Sequence, residues 1–245
     1  MLLKGKRILV TGGSRGLGRS LCVTFVREGA RVAFNYSSDR EGARKTEEES
    51  SPFPAEILSV KASVLDRNAI EEMITLLEEK WGGIDILVNN AGMSQILPMA
   101  LLEEEDWDKI MDINVKGAYL VTRTVLRGMV RRRSGRILNI GSVAGIRLIE
   151  SPVHYAASKA AIRGFTESLA KEVGRYGITV NSIAPGLLEG GVGENLPSYR
   201  LEDYVNHCAL ARVGTFAEVS EAAAFLVSDE NSYMDGATIV MDGGL

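Results

Sequence analysis

The sequence predicts an α/β fold, a doubly wound parallel sheet of seven strands flanked by helices. Three observations predict it. Short apolar runs alternate with longer segments of helical period along the whole chain. The runs are apolar throughout, not at every second residue, as suits parallel strands buried on both faces. A glycine-rich turn also follows the first run and opens the first helical segment, the arrangement of a first strand–helix unit that binds phosphate.

The strands are read at 7–11 (RILVT), 31–35 (RVAFN), 56–60, 84–88, 136–140, 179–183 and 238–241. Between them, helical patterns occupy 16–28, 41–49, 67–80, 107–132, 155–174 and 217–228. Such alternation implies right-handed strand–helix–strand units. No composition shift marks a boundary, so 1–245 reads as one domain. The stretch 50–54 (SSPFP) is a helix-to-strand loop, whereas 186–197 (GLLEGGVGENLP) has many glycines and no period. Loops that long inside a compact domain are usually functional. With the helical 198–210 it forms an expected flap over a substrate, about 186–212.

Composition narrows the function classes. Hydrophobic residues make up 45% and charged residues 24% of 245, with a net charge of -4. That balance offers no whole-protein attraction to nucleic acid or to an anionic membrane. Cys22 and Cys208 form no CxxC pair, and with two histidines no metal set is expected. They read as reduced thiols. The opening MLLKGKR runs into the first strand and is too short for a signal peptide. No apolar run approaches the roughly 20 residues of a membrane span. The expected location is cytoplasmic.

The turn after the first strand reads Thr11-Gly12-Gly13-Ser14-Arg15-Gly16-Leu17-Gly18. Glycines let the backbone approach a pyrophosphate, and the following helix start offers free N–H groups and a positive dipole end. The spacing is Gly-x-x-x-Gly-x-Gly rather than G-x-G-x-x-G. An acid at the end of the second strand would bind a ribose 2′-hydroxyl and select NAD. That place falls at Tyr36, within Asn35-Tyr36-Ser37-Ser38; Asp39 comes later, in the loop. Arg15 could meet a 2′-phosphate. A missing anion and an added cation favour NADP.

Tyr155 and Lys159 lie four apart at a helix start and share a face. Ser142 precedes Tyr155 by thirteen residues, at the end of a strand, and Asn114 falls within the segment 107–132. The ordered set Gly12–Gly16–Gly18, Asn89-Asn90-Ala91-Gly92, Asn114, Ser142, Tyr155-x-x-x-Lys159 and Pro185-Gly186 resembles the short-chain dehydrogenase/reductase family, over about Lys6 to Gly244. The resemblance implies a Rossmann-type fold and an oxidoreductase. Hydride transfer to a ketone leaves negative charge on its oxygen, and an acid must supply a proton. A free tyrosine, with a pKa of about 10, is a poor acid–base group near neutrality. A close ammonium and an oxidised nicotinamide ring would favour its phenolate.

By resemblance, Lys159 supplies that ammonium and holds the nicotinamide ribose. Ser142 donates to the developing oxyanion, and Asn114 holds a water that relays protons. Asn90, Ala91 and Gly92 line the adenosine side. Pro185, Gly186, Leu187 and Leu188 face the nicotinamide carboxamide. Two departures stand out. Ser63-Val64 replaces an Asp that often meets the adenine, leaving a backbone contact. Gly190 replaces a Thr near the cofactor phosphates.

Within the family the chain looks most like the bacterial 3-oxoacyl-[acyl-carrier-protein] reductases. The stretches carrying this are MVRRRSGRI (129–137), GSVAG (141–145), LAKEV (169–173) and GITVN (177–181). The implied reaction is NADPH-dependent reduction of a ketone to a secondary alcohol. Arg131, Arg132 and Arg133 read either as a basic patch near the site mouth steering an acidic carrier protein, or as cations favoured at a helix C-terminus. Leu148, Ile149, Val153, Leu187 and Leu188 would rim an apolar pocket. His154 and His207 read first as packed or loop residues.

Two other readings stand beside this one. The chain could be a dehydrogenase for a free small alcohol, sugar or polyketide-type ketone. It could also be a non-catalytic dinucleotide-binding regulator, against which the intact Asn114, Ser142, Tyr155 and Lys159 set argues. The resemblance further implies a homotetramer built on the helices at 107–132 and 155–174.

Overall fold

A computed structural model describes residues 1–190 and 198–245. Seven strands form one parallel sheet: β1 (Arg7–Thr11), β2 (Arg31–Tyr36), β3 (Ile57–Lys61), β4 (Ile86–Asn89), β5 (Gly135–Ile140), β6 (Ile178–Pro185) and β7 (Thr238–Met241). Their order is β3-β2-β1-β4-β5-β6-β7. The order reverses between β1 and β4, and at such a switch point α/β sheets open a crevice at the C-terminal strand ends. All seven expected strands are present, displaced by at most two residues at a boundary.

Strand burial follows the apolar runs. In β1, Ile8 and Val10 face one side and Leu9 the other, all fully buried. Ile8 and Val10 pack with Phe25 and Val26 of α1 (Gly16–Arg27) and Val219 of α8 (Phe216–Leu226). Leu9 packs with Leu77 of α3 (Arg67–Trp81), Val125 of α5 (Gly117–Arg132) and Leu169 of α6 (Val153–Val173). Each buried Leu or Phe contributes roughly 2 kcal/mol by area removed from water. α2 (Arg40–Ser50) follows β2 and is capped by Asp39, whose carboxylate accepts the Gly42 N–H.

The segment 107–132 is not one helix. α4 (Glu104–Met111) leads into a single π-helical turn, Asp112–Lys116, before α5 begins. Asn114 lies in that turn and is buried. Single π turns inside helices recur at functional sites.

Candidate active site

The turn after β1 is shaped for close approach. Gly12 has φ +70°, and a Cβ there would stand 3.0 Å from the Ala91 Cα. A Cβ on Gly18 would collide with the Gly12 carbonyl and the Asn90 side chain. α1 starts at Gly16, and Arg15 at its N-cap makes no side-chain capping bond, whereas Asp39, Asp66 and Thr215 cap α2, α3 and α8. No side chain thus caps the first turn of α1, which fits a phosphate there. Leu17 packs into the core. Ser14 is buried, and its carbonyl accepts Arg19 at 2.8 Å.

Thr11, which the sequence pattern did not single out, stitches the switch point together. Its hydroxyl accepts the N–H of both Asn90 and Ala91 at 2.9 Å. The Asn90 amide returns two bonds, to the carbonyls of Thr11 (2.9 Å) and Gly12 (3.0 Å). The Gly-rich turn and Asn90-Ala91-Gly92 therefore form one unit.

At the tip of β2, Tyr36 is half-buried and Ser37 exposed. Asp39 is engaged as the α2 cap, leaving no free carboxylate at this corner. Arg15 and Arg40 are both exposed there, and neither forms an ion pair among the described residues. Arg40, the first residue of α2, is a second cation beyond the sequence reading. After β3, the Ser63 hydroxyl accepts the Leu65 N–H at 3.2 Å and Val64 is buried, so these two offer a ligand chiefly backbone.

Ser142 follows β5, its hydroxyl accepting the Ala144 N–H at 3.2 Å, and stands close enough to the Tyr155 phenol on α6 to favour its ionisation. Lys159 is buried, donates to the Ile140 carbonyl at 2.8 Å, and holds its Nζ 5.8 Å from the Tyr155 ring centroid. Gly145 lies so close to the Lys159–Ala160 backbone that a side chain there would displace α6. A Cβ on Gly92 would lie 3.2 Å from Asn114 Oδ1 and 3.7 Å from Lys159 Nζ. Asn114 donates to Ser158 Oγ (2.9 Å), and Ser158 donates to the Tyr155 carbonyl (2.7 Å). The four residues picked from the sequence converge, with Ser158 as an unforeseen link.

Burial pushes the Tyr155 phenol above its ordinary value, with Ser142 pulling the other way. Burial also pushes Lys159 down to about 8. The phenolate expected at the sequence level needs an oxidised nicotinamide ring as well as the ammonium; without that ring, burial is the larger influence and favours the protonated phenol. At neutral pH the group presents a protonated phenol beside an ammonium, a proton donor suited to carbonyl reduction.

Beyond β6, Gly186 N–H donates to the Met241 carbonyl (2.8 Å) and Leu188 bridges to Gly214. Leu148 and Val153 are exposed, and Ile149, Leu187 and Leu188 are half-buried. Of the expected flap, 191–197 lies outside the described residues. α7 (Ser198–His207) is helical as read. His154 is fully buried with neither ring nitrogen bonded, and His207 is exposed.

The placement of Arg131, Arg132 and Arg133 is a correction. They end α5 at the N-terminal edge of the sheet, a strand length of about 20 Å from Ser142 across β5. Arg131 pairs with Glu78, Arg132 donates to the Ile84 carbonyl, and Arg133 donates to the Arg175 carbonyl and lies over Tyr176. They do not line the mouth of their own chain's site.

A glycine turn at a switch point, together with a Ser–Tyr–Lys group beside it, defines a nicotinamide-dependent oxidoreductase. The chain belongs to the short-chain dehydrogenase/reductase family. A family model described as enoyl-(acyl carrier protein) reductase matches residues 12–245. The 3-oxoacyl-[acyl-carrier-protein] reductase FabG of Thermotoga maritima is 38% identical over 245 residues, 100% of this chain and 99% of the relative. That of Vibrio cholerae is 35% identical over 245 residues, 100% of this chain and 99% of the relative. Among solved structures, levodione reductase matches with a TM-score of 0.93 at 33% identity, covering 98% of this chain and 97% of that one. NAD+-bound xylitol dehydrogenase matches with a TM-score of 0.93 at 29% identity, covering 100% of each chain. Among the described residues no helix is long and apolar enough to cross a membrane.

Proposed function

We propose that the protein reduces 3-oxoacyl thioesters on an acyl carrier protein to the 3-hydroxyacyl form, with NADPH, in fatty-acid or related synthesis. The observation that carries this reading is the buried Tyr155 beside Ser142 and Lys159 at the crevice, joined to the name of the full-length relatives. A reduced nicotinamide bound there would supply a hydride to the carbonyl carbon. Ser142 orients the carbonyl oxygen and donates to it as charge develops. Tyr155 then gives its proton to that oxygen, and Lys159 stabilises the phenolate left behind. Asn114 keeps the Met93 segment in place beside Lys159.

Gly12, Ser14, Gly16, Leu17 and Gly18 would cradle the pyrophosphate at the α1 N-terminus. Arg15 and Arg40, with Tyr36 and Ser37, would take the 2′-phosphate, which favours NADPH. Ser63, Val64, Asn90, Ala91 and Gly92 would line the adenosine side. Pro185, Gly186 and Leu188 would face the carboxamide. The rim of Leu148, Val153 and Leu187 suits an acyl chain. One domain, a cytoplasmic location and a homotetramer belong to the same proposal.

The levodione and xylitol enzymes among the structural neighbours favour a second reading, a reductase or dehydrogenase for a free small ketone or polyol. The deciding experiment is oxidation of NADPH and NADH with acetoacetyl-CoA as a surrogate ketoester. Turnover preferring NADPH supports the first reading. Measurable NADPH binding without turnover moves the assignment to the second.

A further inference from the structure

The turn leaving β6 is fixed from two sides. Gly186 N–H donates to the Met241 carbonyl at 2.8 Å, and Gly214 N–H donates to the Leu187 carbonyl at 3.0 Å. Both are main-chain bonds that any sequence could make. The Leu187 N–H goes instead to a side chain: it donates to the Tyr204 hydroxyl oxygen on α7 at 2.8 Å. The phenol comes so close that a Cβ on Gly186 would collide with Tyr204 Oη. Glycine at 186 is what admits it.

α7 is also tied to the segment that carries Ser142. Arg200, near its start, pairs with Glu150 at 2.5 Å. Just past its end, the buried Cys208 thiol donates to the Asp242 carbonyl at 3.4 Å. The Asp242 carboxylate in turn pairs with Arg147 at 2.8 Å. One helix thus touches both walls of the crevice, the stretch after Ser142 and the turn after Pro185. Of these contacts, the Tyr204 bond alone reaches the backbone of that turn directly.

We propose that Tyr204 is a positioning residue for the reaction: by holding the Leu187 amide it sets the turn 186–188 against the nicotinamide end of the cofactor and makes the seating of α7 part of cofactor binding. The inference rests on the reading above for what that turn faces. The phenol suits the task because burial pushes it up to about 12, so it remains a neutral acceptor across the working range. Without its oxygen, the Leu187 N–H loses its protein partner and the turn is no longer pinned where it meets the cofactor. A pre-set turn spares the cofactor the cost of ordering it.

The test is Tyr204→Phe in the full chain, which keeps the ring and deletes the acceptor, with Tyr199→Phe as the control. Three quantities are measured: hydrogen exchange of the Leu187 amide in the free protein, the NADPH dissociation constant by fluorescence titration, and turnover of acetoacetyl-CoA. The expected result is faster Leu187 exchange, a dissociation constant raised roughly fivefold to tenfold, the size of one lost hydrogen bond, and lowered kcat. The melting temperature and the control stay near wild type. Unchanged Leu187 exchange overturns the latch. Faster exchange with unchanged NADPH affinity and kcat overturns its role in the reaction. A wild type that binds no NADPH overturns the cofactor reading, and the exchange data, which need no cofactor, separate that failure from failure of the latch.

Discussion

Asn114 grips Met93 by both of its backbone groups. Its Oδ1 accepts the Met93 N–H at 2.8 Å, and its Nδ2 donates to the Met93 carbonyl at 3.0 Å and to Ser158 Oγ at 2.9 Å. The amide is 2% exposed and both of its hydrogens are committed. Its side chain thus works as a clamp between the π turn, the segment after β4 and α6.

Asn114→Leu keeps the shape and removes every one of these bonds. Buried groups left without partners cost about 1–3 kcal/mol each, so a loss of about 2–5 kcal/mol is expected in urea unfolding with an unchanged slope. Turnover falls with it, because Met93 and Ser158 both adjoin the Tyr155–Lys159 pair. A midpoint equal to that of wild type would refute the clamp.

Tyr155→Phe deletes the proposed acid and leaves the ring packing. A lost general acid is worth about a hundredfold to ten-thousandfold in rate. Expected is a drop in kcat of that order with NADPH affinity changed less than about threefold, since the phenol meets the substrate oxygen and not the phosphates. Turnover within twofold of wild type would remove Tyr155 from the mechanism.

The strands were legible because each is buried on both faces: Ile8, Leu9 and Val10 leave no polar side to hide the signal. The grouping of Ser142, Tyr155 and Lys159 was legible because they stand near one strand end and one helix start. Three features were not. The break at Asp112–Lys116 escaped because a π turn only shifts the phase of the apolar pattern, which resumes at Ala118 and Val121. Arg131, Arg132 and Arg133 are near Ser142 in sequence, but all of β5 runs between them. Thr11 and Tyr204 act through contacts to residues 79 and 17 positions away, and nothing local in the chain announces them.

Arg15→Ala tests cofactor choice. A charge-assisted bond to a phosphate is worth about 1.5–3 kcal/mol, so NADPH affinity should fall about tenfold to a hundredfold while NADH affinity changes little. Arg40→Ala should act in the same direction. An equal loss for both cofactors would place Arg15 at the pyrophosphate or nowhere near the ligand.

The outer face of α5 and α6 carries a groove of about 640 Å³ lined by Tyr119, Leu126, Val130 and Phe165 among others. An apolar groove on two long helices suits the proposed assembly of four copies. Leu126→Glu should then lower the light-scattering mass toward that of a smaller species. A wild type already at monomer mass would sink the tetramer itself.

Lys159 links pH to both turnover and stability. Its ammonium is needed while Tyr155 gives up its proton, so in the free enzyme kcat/KM for reduction should fall as pH rises through about 8, the value to which burial pushes it. The stability effect has the opposite sign. Between about 8 and the ordinary 10.5 the unfolded chain holds a proton at this residue that the folded chain has released, so stability gains with pH across that window. Displacement over that range corresponds to something of order 3 kcal/mol, partly offset by the bond to the Ile140 carbonyl. Lys159→Met removes the buried charge. It should abolish turnover, melt no lower than wild type at pH 7, and lose the gain in stability between pH 8 and 10. Unfolding measured for both proteins across that range decides it, since every other titrating group cancels in the difference. Parallel pH curves would show that the ammonium is solvated in the folded protein and that its burial does not tune the site.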